Sequence, residues 1–274
     1  MKKKLKIGIV GCGAIGSSLA KTVSRDLTKS AKLAALYDLI RDKSEGLSFK
    51  LTGKKDLAVD SLEKLIRKSD LVIEAAHANC SMDIARKTVL KGKDAMIMSV
   101  GGVVDEFVSL TKSAFLTNAR IYIPSGAIAG IDALKAAHLG KVKKVVLTTR
   151  KNPLSFKGVK YVQDKKIKLD EIRVDTVLFS GSARQAMKFF PQNVNVAGIL
   201  SLAGIGSQKT QVKIIASPSA LRNIHEIEIV SEAGNVFTRT ENVLHPDNPK
   251  TSYLAVLSAV AALKQILQAS RVGT

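Results

Sequence analysis

The stretch Leu5-Lys-Ile-Gly-Ile-Val-Gly-Cys-Gly-Ala-Ile-Gly16 decides the fold of this 274-residue chain. Residues 5–10 are mostly apolar and predict a strand, and residues 17–26 predict a helix. Between them the glycines follow the spacing G-x-G-x-x-G, which is typical of a phosphate-binding turn from strand to helix. A second apolar strand, residues 31–37, follows and stops at Asp38. Together these features predict a βαβ unit that binds a dinucleotide.

Each glycine of this turn has its own task. Gly11 permits the tight turn, Gly13 lets the backbone approach a pyrophosphate, and Gly16 lets the helix pack close to the strand. The helix N-terminus then faces the phosphates. Ala14 and Ile15 lie between the second and third glycines, so we expect them among the cofactor contacts.

The acid at the end of the second strand bears on the choice of cofactor. Asp38 lies 22 residues after Gly16. An acid at this place hydrogen-bonds the adenosine ribose hydroxyls, which favours NAD. Arg41, three residues further on, could accommodate a 2′-phosphate, so NADP stays open. Glycines also cluster in α/β turns that bind no ligand, but the surrounding strand, helix and acid disfavour that alternative.

Strands and helices alternate through the rest of the first half. Helices are predicted at residues 61–68, 82–91 and 104–117, and strands at residues 70–75, 95–100 and 120–123. This alternation favours a parallel, doubly wound sheet of the Rossmann type.

After about residue 124 strand-like segments predominate. They are residues 144–150, 170–179, 211–216, 223–231 and 235–240, with helices predicted at 130–138, 182–189 and 194–203. The pattern predicts a second α+β domain on a mixed, largely antiparallel sheet. We therefore expect a dinucleotide-binding Rossmann domain at residues 1–123, completed by a C-terminal helix at 250–274, and a catalytic domain at residues 124–249.

Composition narrows the class of protein. The chain has 43 Lys and Arg against 23 Asp and Glu, a net charge of +20 that attracts anions such as dinucleotides and dicarboxylates. Aromatic residues make up only 4% and the basic residues are dispersed, so no nucleic-acid partner is expected. Because no apolar run reaches membrane-spanning length, no membrane partner is expected either.

The cysteines indicate the compartment. Cys12 and Cys80 are far apart and fit no metal-ligand or disulfide spacing, which predicts a reducing cytoplasm and no metal site. The basic N-terminus followed by an apolar stretch to Ala20 has the form of a secretory signal. The three glycines at nucleotide-binding offsets disfavour that reading.

Three blocks of the second half stand out together. They are Pro124-Ser-Gly-Ala-Ile-Ala-Gly-Ile-Asp132, Asn193-Val-Asn-Val-Ala197, and Asn223-Ile-His-Glu-Ile227 followed by Glu241-Asn-Val and Asn248-Pro-Lys-Thr-Ser252. With the N-terminal glycines they resemble the L-aspartate dehydrogenase family over nearly the whole chain. The resemblance implies NAD- or NADP-dependent conversion of L-aspartate to iminoaspartate, then to oxaloacetate and ammonia. It also implies that the protein is a homodimer, and that its product often supplies nicotinamide-cofactor biosynthesis.

The resemblance implies roles for three residues. Ala129 would contact the cofactor, Asn195 would bind the nicotinamide carboxamide, and His225 would be catalytic. From the residues themselves, the 125–130 segment could cradle an anion with its amides or simply let a helix pack closely. Asn195 lies in an apolar stretch where a buried amide needs hydrogen-bond partners; helix capping is the alternative, for which Asn193 is better placed.

Four histidines compete for the acid/base role: His77, His138, His225 and His245. We expect His138 to cap the C-terminus of the helix predicted at 130–138, and His245 to lie in a loop beside Pro246. In the 223–231 strand, alternation puts His225 on one face with Ile227 and Ile229. A histidine on an apolar face is more often a core residue, and it is the resemblance that favours catalysis here. A pKa near neutrality would suit removal of the α-ammonium proton.

The sequence leaves open which cations bind the substrate, and it allows two other functions. A dicarboxylate needs cationic or amide donors, and the sequence does not rank Lys144, Arg150, Lys151 and Lys250 for that task. A related oxidoreductase of the homoserine dehydrogenase or dihydrodipicolinate reductase type is one alternative function. A regulator that senses NAD(H) and contacts nucleic acid through its positive charge is another.

Overall fold

The computed structural model describes residues 3–191, 195–246, 248–270 and 272–273, leaving aside the side chains of 248–250. Within that description the chain forms two compact units. The first comprises the described residues of Met1–Pro124 and Val256–Arg271, and the second those of Ser125–Ala255 and Val272–Thr274.

The first unit is built on a parallel sheet. Its strands are β1 (Leu5–Val10), β2 (Ala31–Tyr37), β3 (Leu71–Glu74), β4 (Asp94–Ile97) and β5 (Ile121–Tyr122). They lie in the order β2-β1-β3-β4-β5, and every neighbouring pair is parallel. All four residues of β3 are buried, as expected for a strand covered on both faces. The predicted doubly wound parallel sheet is confirmed.

Helices connect these strands. They are α1 (Ala14–Arg25), α2 (Arg41–Thr52), α3 (Leu62–Lys68), α4 (Ala78–Leu90) and α5 (Phe107–Leu116). The first begins before the predicted residue 17 because Gly13 is its N-cap. The second was not predicted. Its buried residues are Ser44, Leu47 and Ser48, and because two of these three are polar, hydrophobic periodicity does not reveal the helix.

The second unit is built on a mixed sheet. Its strands are β6 (Val142–Lys151), β7 (Thr176–Ser182), β8 (Gln211–Ala216), β9 (Asn223–Ser231) and β10 (Gly234–Asn242), in the order β10-β9-β6-β8-β7. Only β6 and β8 are parallel, so the prediction of a largely antiparallel sheet is confirmed. A separate pair, β11 (Leu244–His245) and β12 (Asn248–Ser252), places His245 in a strand and not in the predicted loop.

The predicted strand at 170–179 was wrong in its first half. The strand begins only at Thr176, because Leu169–Glu171 form a 3-10 turn. The Arg173 guanidinium closes that turn by donating to the carbonyl oxygen of Asp170 at 2.5 Å. Backbone held in a turn cannot join a sheet ladder.

Among the described residues, four helices accompany this sheet: α6 (Ile131–Ala137), α7 (Lys160–Asp164), α8 (Ala183–Phe189) and α9 (Asn195–Ala203). Three of them match the predicted helices, and α7 was not predicted. A capping box between Ser182 and Gln185 sets the start of α8.

The second sheet has two chemically different faces. On the inner face, apolar side chains such as Leu147 and Ile227 are buried. The outer face carries ion pairs, among them Lys144 with Glu228 at 2.8 Å. Strict alternation along β9 produces this division, since every second side chain points to the same face.

The last helix, α10 (Tyr253–Leu267), belongs to the first unit from Val256 onward. Its Ala259 and Leu263 are fully buried in the core that contains Ile7 and Ile9. Full burial of a leucine contributes about 1.5–3 kcal/mol, so this helix adds materially to the stability of the unit. None of the helices in the described part of the chain is long and apolar enough to cross a membrane.

Candidate functional site

The glycine turn after β1 leaves room for a ligand at one position only. Gly11 has φ +91°, and a Cβ there would overlap the carbonyl of Ala75. A Cβ at Gly16 would overlap the carbonyl oxygen of Gly11, whereas nothing lies within 4 Å of a Cβ built at Gly13. Gly11 therefore packs against the chain after β3 and Gly16 packs against Gly11, whereas Gly13 faces open space where a phosphate could approach.

The start of α1 is prepared for an anion. Gly13 is its N-cap, no side chain caps it, and its first turn holds no acidic residue. The exposed backbone amides and the helix dipole both favour negative charge at this place. This arrangement fits the pyrophosphate of a dinucleotide.

Asp38 is tied to the glycine turn. Its Oδ2 accepts the amide of Cys12 at 2.7 Å, and its Oδ1 accepts the amide of Ile40 at 2.9 Å. Each carboxylate oxygen can accept a second hydrogen bond, so the group can still bind ribose hydroxyls while its orientation is held. Burial and the negative charge of Asp38 raise the pKa of the Cys12 thiol to about 12, which keeps that thiol unreactive.

Arg41 has a partner of its own. Its Nε lies 2.6 Å from Oε1 of Glu45, one turn along α2, and Glu45 also binds Lys55. The arginine side chain is largely exposed, so its pairing is weak in free energy. A ligand phosphate could compete with Glu45 for it.

Glu74 was missed in the sequence. It is 2% exposed at the end of β3, and its two carboxylate oxygens accept the amides of Ala76 and Ser99, each at 2.9 Å. Burial raises its pKa. The carboxylate thus ties the carboxyl end of β3 to that of β4, beside the glycine turn. An acid inside an otherwise apolar strand was the signal that could have revealed it.

The 125–130 loop of the second unit is held by β10. Thr240 and Asn242 both donate to the carbonyl oxygen of Ala127 at 3.0 Å, and Thr238 donates to that of Ala129 at 3.2 Å. The side chain of Ala129 is exposed and so available to a ligand. Gly126 also approaches Ile199 of α9 closely, which supports the packing role of this segment as well.

Asn195 lies in the predicted helix, but its amide is not buried. The structure places it at the first residue of α9 with its side chain exposed, so the expectation of a buried amide was wrong. The buried face of the helix begins one residue later, at Val196, which explains why the surrounding sequence is apolar. The alternative cap, Asn193, lies outside the described residues.

His225 lies on the inner face of the second sheet. It is 5% exposed and pairs in register with Thr149 of β6 and Thr240 of β10. Its Nδ1 lies 3.0 Å from Oγ1 of Thr149. The predicted shared face with Ile227 and Ile229 is confirmed by the burial of all three. The ring is therefore held in one orientation by a buried hydroxyl.

The pKa of His225 lies well below the near-neutral value that would suit proton removal. Burial in protein and, to a smaller extent, the positive charge of the nearby Lys151 together lower its pKa to about 3. The imidazole is thus neutral at physiological pH. In the tautomer whose Nδ1–H donates to Thr149, the lone pair of Nε2 can accept a proton or a hydrogen bond.

Polar groups gather at one end of the inner face, which we call the polar edge: Thr149, Lys151, His225, Thr240 and Asn242. The carboxyl ends of β6 and β10 and the beginning of β9 meet there. Asn242 is 2% exposed, and its Oδ1 has no hydrogen-bond partner in the described part of the protein. A buried acceptor of this kind calls for a donor from a ligand or a water molecule.

The structure separates the four candidate cations. Lys144 and Arg150 lie on the outer face, where they pair with Glu228, and with Asp175 and Glu226, respectively. The side chain of Lys250 lies outside the described residues. Lys151 is on the inner face and half-buried, and desolvation lowers its pKa to about 8. Strand alternation alone separates Arg150 from its neighbour Lys151.

The other histidines have local roles. His77 is exposed and caps α4, with Nδ1 accepting the amide of Asn79 at 3.4 Å. His138 is exposed at the C-cap of α6, as the sequence predicted. His245 is buried, and its ring packs edge-on against Tyr253 at 5.5 Å. His225 is the histidine that lies at the polar edge.

A pH dependence of stability follows from His225. The ordinary pKa of the ring is 6.5 and its pKa in the folded protein is about 3. Between these two pH values the ring therefore binds a proton in the unfolded chain but not in the folded protein. This group's contribution to stability is full above pH 6.5 and is lost as the pH falls toward 3. Between about pH 7 and about pH 5 we expect the loss to be about 2 kcal/mol.

Urea unfolding at these two pH values measures the effect. The wild type should lose about 2 kcal/mol more than His225→Gln, which has no titrating ring. The exposed His138→Gln is the matched control and should behave as the wild type does. Parallel losses in the wild type and His225→Gln would show that the folded protein does not hold this ring neutral.

Comparison with known proteins identifies both halves of the chain. Residues 11–124 match the family model for the NAD-binding domain of homoserine dehydrogenase. Residues 132–266 match the model for the C-terminal domain of aspartate dehydrogenase. The second match includes β6, β9 and β10 and therefore the polar edge.

Relatives match over almost the full length. The L-aspartate dehydrogenase of Methanosarcina acetivorans is 45% identical over 272 residues, covering 98% of this chain and 100% of that protein. The enzyme of the same name from Nitrosopumilus maritimus is 40% identical over 262 residues, covering 95% and 96%. The crystal structure of aspartate dehydrogenase from Thermotoga maritima superposes with a TM-score of 0.78 at 26% identity, covering 99% of this chain and 100% of that one.

Proposed function

This chain belongs to the L-aspartate dehydrogenase family, and from that premise we propose that it oxidises L-aspartate to iminoaspartate with a nicotinamide cofactor. The observation that carries the proposal is the polar edge, where His225 and Lys151 are placed together at one end of an otherwise apolar sheet face. Burying two titratable groups costs stability, which is expected where a protein uses them for chemistry.

The first unit binds the dinucleotide. The open space at Gly13 and the uncapped start of α1 fit the pyrophosphate, with Ala14 and Ile15 beside it. Asp38 is oriented by the Cys12 amide to accept the ribose hydroxyls. When bound, the oxidised nicotinamide ring supplies the acceptor for a hydride.

NAD is the preferred cofactor. A 2′-phosphate placed beside Asp38 would meet a carboxylate whose orientation two backbone amides hold in place. The negative charges of the phosphate and of the Asp38 carboxylate would repel each other. Arg41 could exchange its weak pairing with Glu45 for a 2′-phosphate, but Asp38 would still repel that phosphate.

Residues of the second unit bind the nicotinamide end of the cofactor and the substrate. Ala129 and Asn195 are both exposed, one on the 125–130 loop and one at the start of α9, and they contact the nicotinamide and its carboxamide. The neutral ring of His225 accepts a hydrogen bond from the α-amino group of the substrate. Thr149 orients that ring so that Nε2 faces the substrate.

The amino group must lose a proton before oxidation. An α-ammonium group has no lone pair, so the Cα hydrogen can leave as a hydride only after deprotonation. The polar edge provides a neutral imidazole and an amine for this step. Iminoaspartate hydrolyses in water without further catalysis, so no hydrolytic residue is required.

The wider setting rests on the resemblance. Iminoaspartate supplies nicotinamide-cofactor biosynthesis, and the protein acts in the cytoplasm, which its free cysteines Cys12 and Cys80 favour. It works as a homodimer. The exposed Phe237 and Val177, on the two edge strands of the outer face of the second sheet, support that assembly, because exposed apolar side chains are common at contact surfaces.

A substrate and cofactor screen tests the proposal. With L-aspartate we expect absorbance of reduced cofactor to rise, with a larger kcat/KM for NAD than for NADP. Homoserine and D-aspartate serve as comparison substrates. Reduction of cofactor with homoserine but not with L-aspartate would overturn the assignment, and a higher kcat/KM for NADP would overturn the cofactor preference alone.

A further inference from the structure

Lys151 is the last residue of β6, and it closes the inner face at the polar edge. Resting on the proposed function, we propose that Lys151 is the base that takes the proton from the α-ammonium group of the substrate, while His225 orients that group without keeping its proton. Two other cations of the same strand, Lys144 and Arg150, point to the opposite face.

The sheet register places Lys151 where the reaction occurs. It follows Thr149 by two residues, so both side chains point to the inner face, and Thr149 pairs directly with His225 of β9. On its other side Lys151 pairs with the fully buried Ala216 of β8. The lysine is close enough to His225 for its charge to lower the pKa of that ring.

The surroundings of Lys151 tune it as a base. Desolvation disfavours the ammonium form and lowers the pKa to about 8, so roughly a tenth of the side chains are amines at pH 7 and about half at pH 8. A base works best when its pKa lies near the working pH. With a pKa of about 3, His225 would hold a proton too weakly for the same task.

Proton transfer to Lys151 precedes hydride transfer from the substrate. An N–H bond of the substrate ammonium breaks and an Nζ–H bond forms, so Lys151 becomes an ammonium and the substrate nitrogen gains a lone pair. The Cα hydrogen then leaves with both electrons of its bond to the oxidised nicotinamide. The nitrogen lone pair forms the C=N bond of a protonated imine. The substrate loses two electrons, and Lys151 later releases its proton to solvent.

Single-turnover measurements on the cofactor-loaded enzyme test the inference. In Lys151→Met, which keeps the apolar stem and removes the amine, we expect hydride transfer to slow by at least about a hundredfold. Lys144→Met is the matched control, since Lys144 lies on the outer face and pairs with Glu228, and its rate should stay within about twofold of the wild type. A rate in Lys151→Met equal to that of the wild type would overturn the inference.

Binding of succinate distinguishes a base from a carboxylate receptor. Succinate has both carboxylates of aspartate and no amino group, and its affinity can be measured by calorimetry without turnover. We expect its dissociation constant in Lys151→Met to stay within about threefold of the wild-type value. A rise of about a hundredfold, with the wild-type rate restored at saturating aspartate, would show that Lys151 binds a carboxylate and would overturn the inference.

Rescue by free amines provides a readout that a purely structural role would not change. In Lys151→Ala, small alkylamines should restore hydride transfer, with rates that rise with the pKa of the amine. Absence of rescue in a variant that binds succinate normally would overturn the inference. Because Lys151 is half-buried at the last residue of β6, both variants should remain folded. Failure of the wild type to oxidise aspartate would instead refute the proposed function.

Discussion

Gly13→Val is expected to weaken binding of NADH by at least about a hundredfold while leaving the first unit folded. The reason is the open space beside this residue, where a Cβ meets no protein atom within 4 Å. The fold therefore tolerates the side chain, but the pyrophosphate does not. Loss of two charge-assisted hydrogen bonds at about 1.5–3 kcal/mol each is sufficient for this effect.

Fluorescence titration with NADH and urea unfolding together measure this result. Gly46→Val is the matched control, because Gly46 also faces open space but lies in α2, away from the glycine turn. That variant should bind NADH as the wild type does. If Gly13→Val binds NADH normally, the dinucleotide does not approach the chain at this turn.

His225→Ala is expected to lower kcat for aspartate by at least about a hundredfold, the usual scale for removal of a group that assists proton transfer. The substrate amino group would lose the hydrogen bond that orients it beside Lys151. Because the nucleotide site is built from residues of β1, α1 and β2, the dissociation constant for NADH should change by less than about threefold.

Steady-state kinetics with both substrates checks this prediction. His138→Ala is the control, since His138 is an exposed histidine of the same unit at the end of α6. We expect the control to retain full activity. Unchanged turnover in His225→Ala would remove this histidine from the reaction, and a loss confined to NADH binding would place it in the cofactor site.

Contiguous residues made the first unit predictable. In the glycine turn, the strand before it and the helix after it, each requirement is met by neighbours in the sequence, and the structure places β1 and β2 at the predicted residues. The helix α2 was not predicted because Ser44 and Ser48 on its buried face are polar. Periodicity detects apolar faces and overlooks a face that packs through small polar residues.

In the second unit, the sequence predicted most of the helices and strands but not the chemistry of the site. Alternation along β9 correctly placed His225 on the buried face. Alternation could not predict the pKa of the ring, because that pKa depends on burial in the folded unit and on the charge of Lys151. Lys151 lies in a strand more than seventy residues earlier in the chain. Asn195 shows the reverse error, since an apolar neighbourhood in sequence did not mean burial of its own side chain.

The sequence by itself determined that a dinucleotide-binding βαβ unit begins the chain and that a mixed sheet follows, because glycine spacing and strand alternation are local properties. Only the tertiary structure decided which groups meet at the polar edge. The register of β6 against β9 brings Lys151 and Thr149 to His225 and turns Arg150 toward the opposite face. Charge and solvation act through space, so the chemistry of this site depends on which strands are paired and not on which residues are adjacent in the chain.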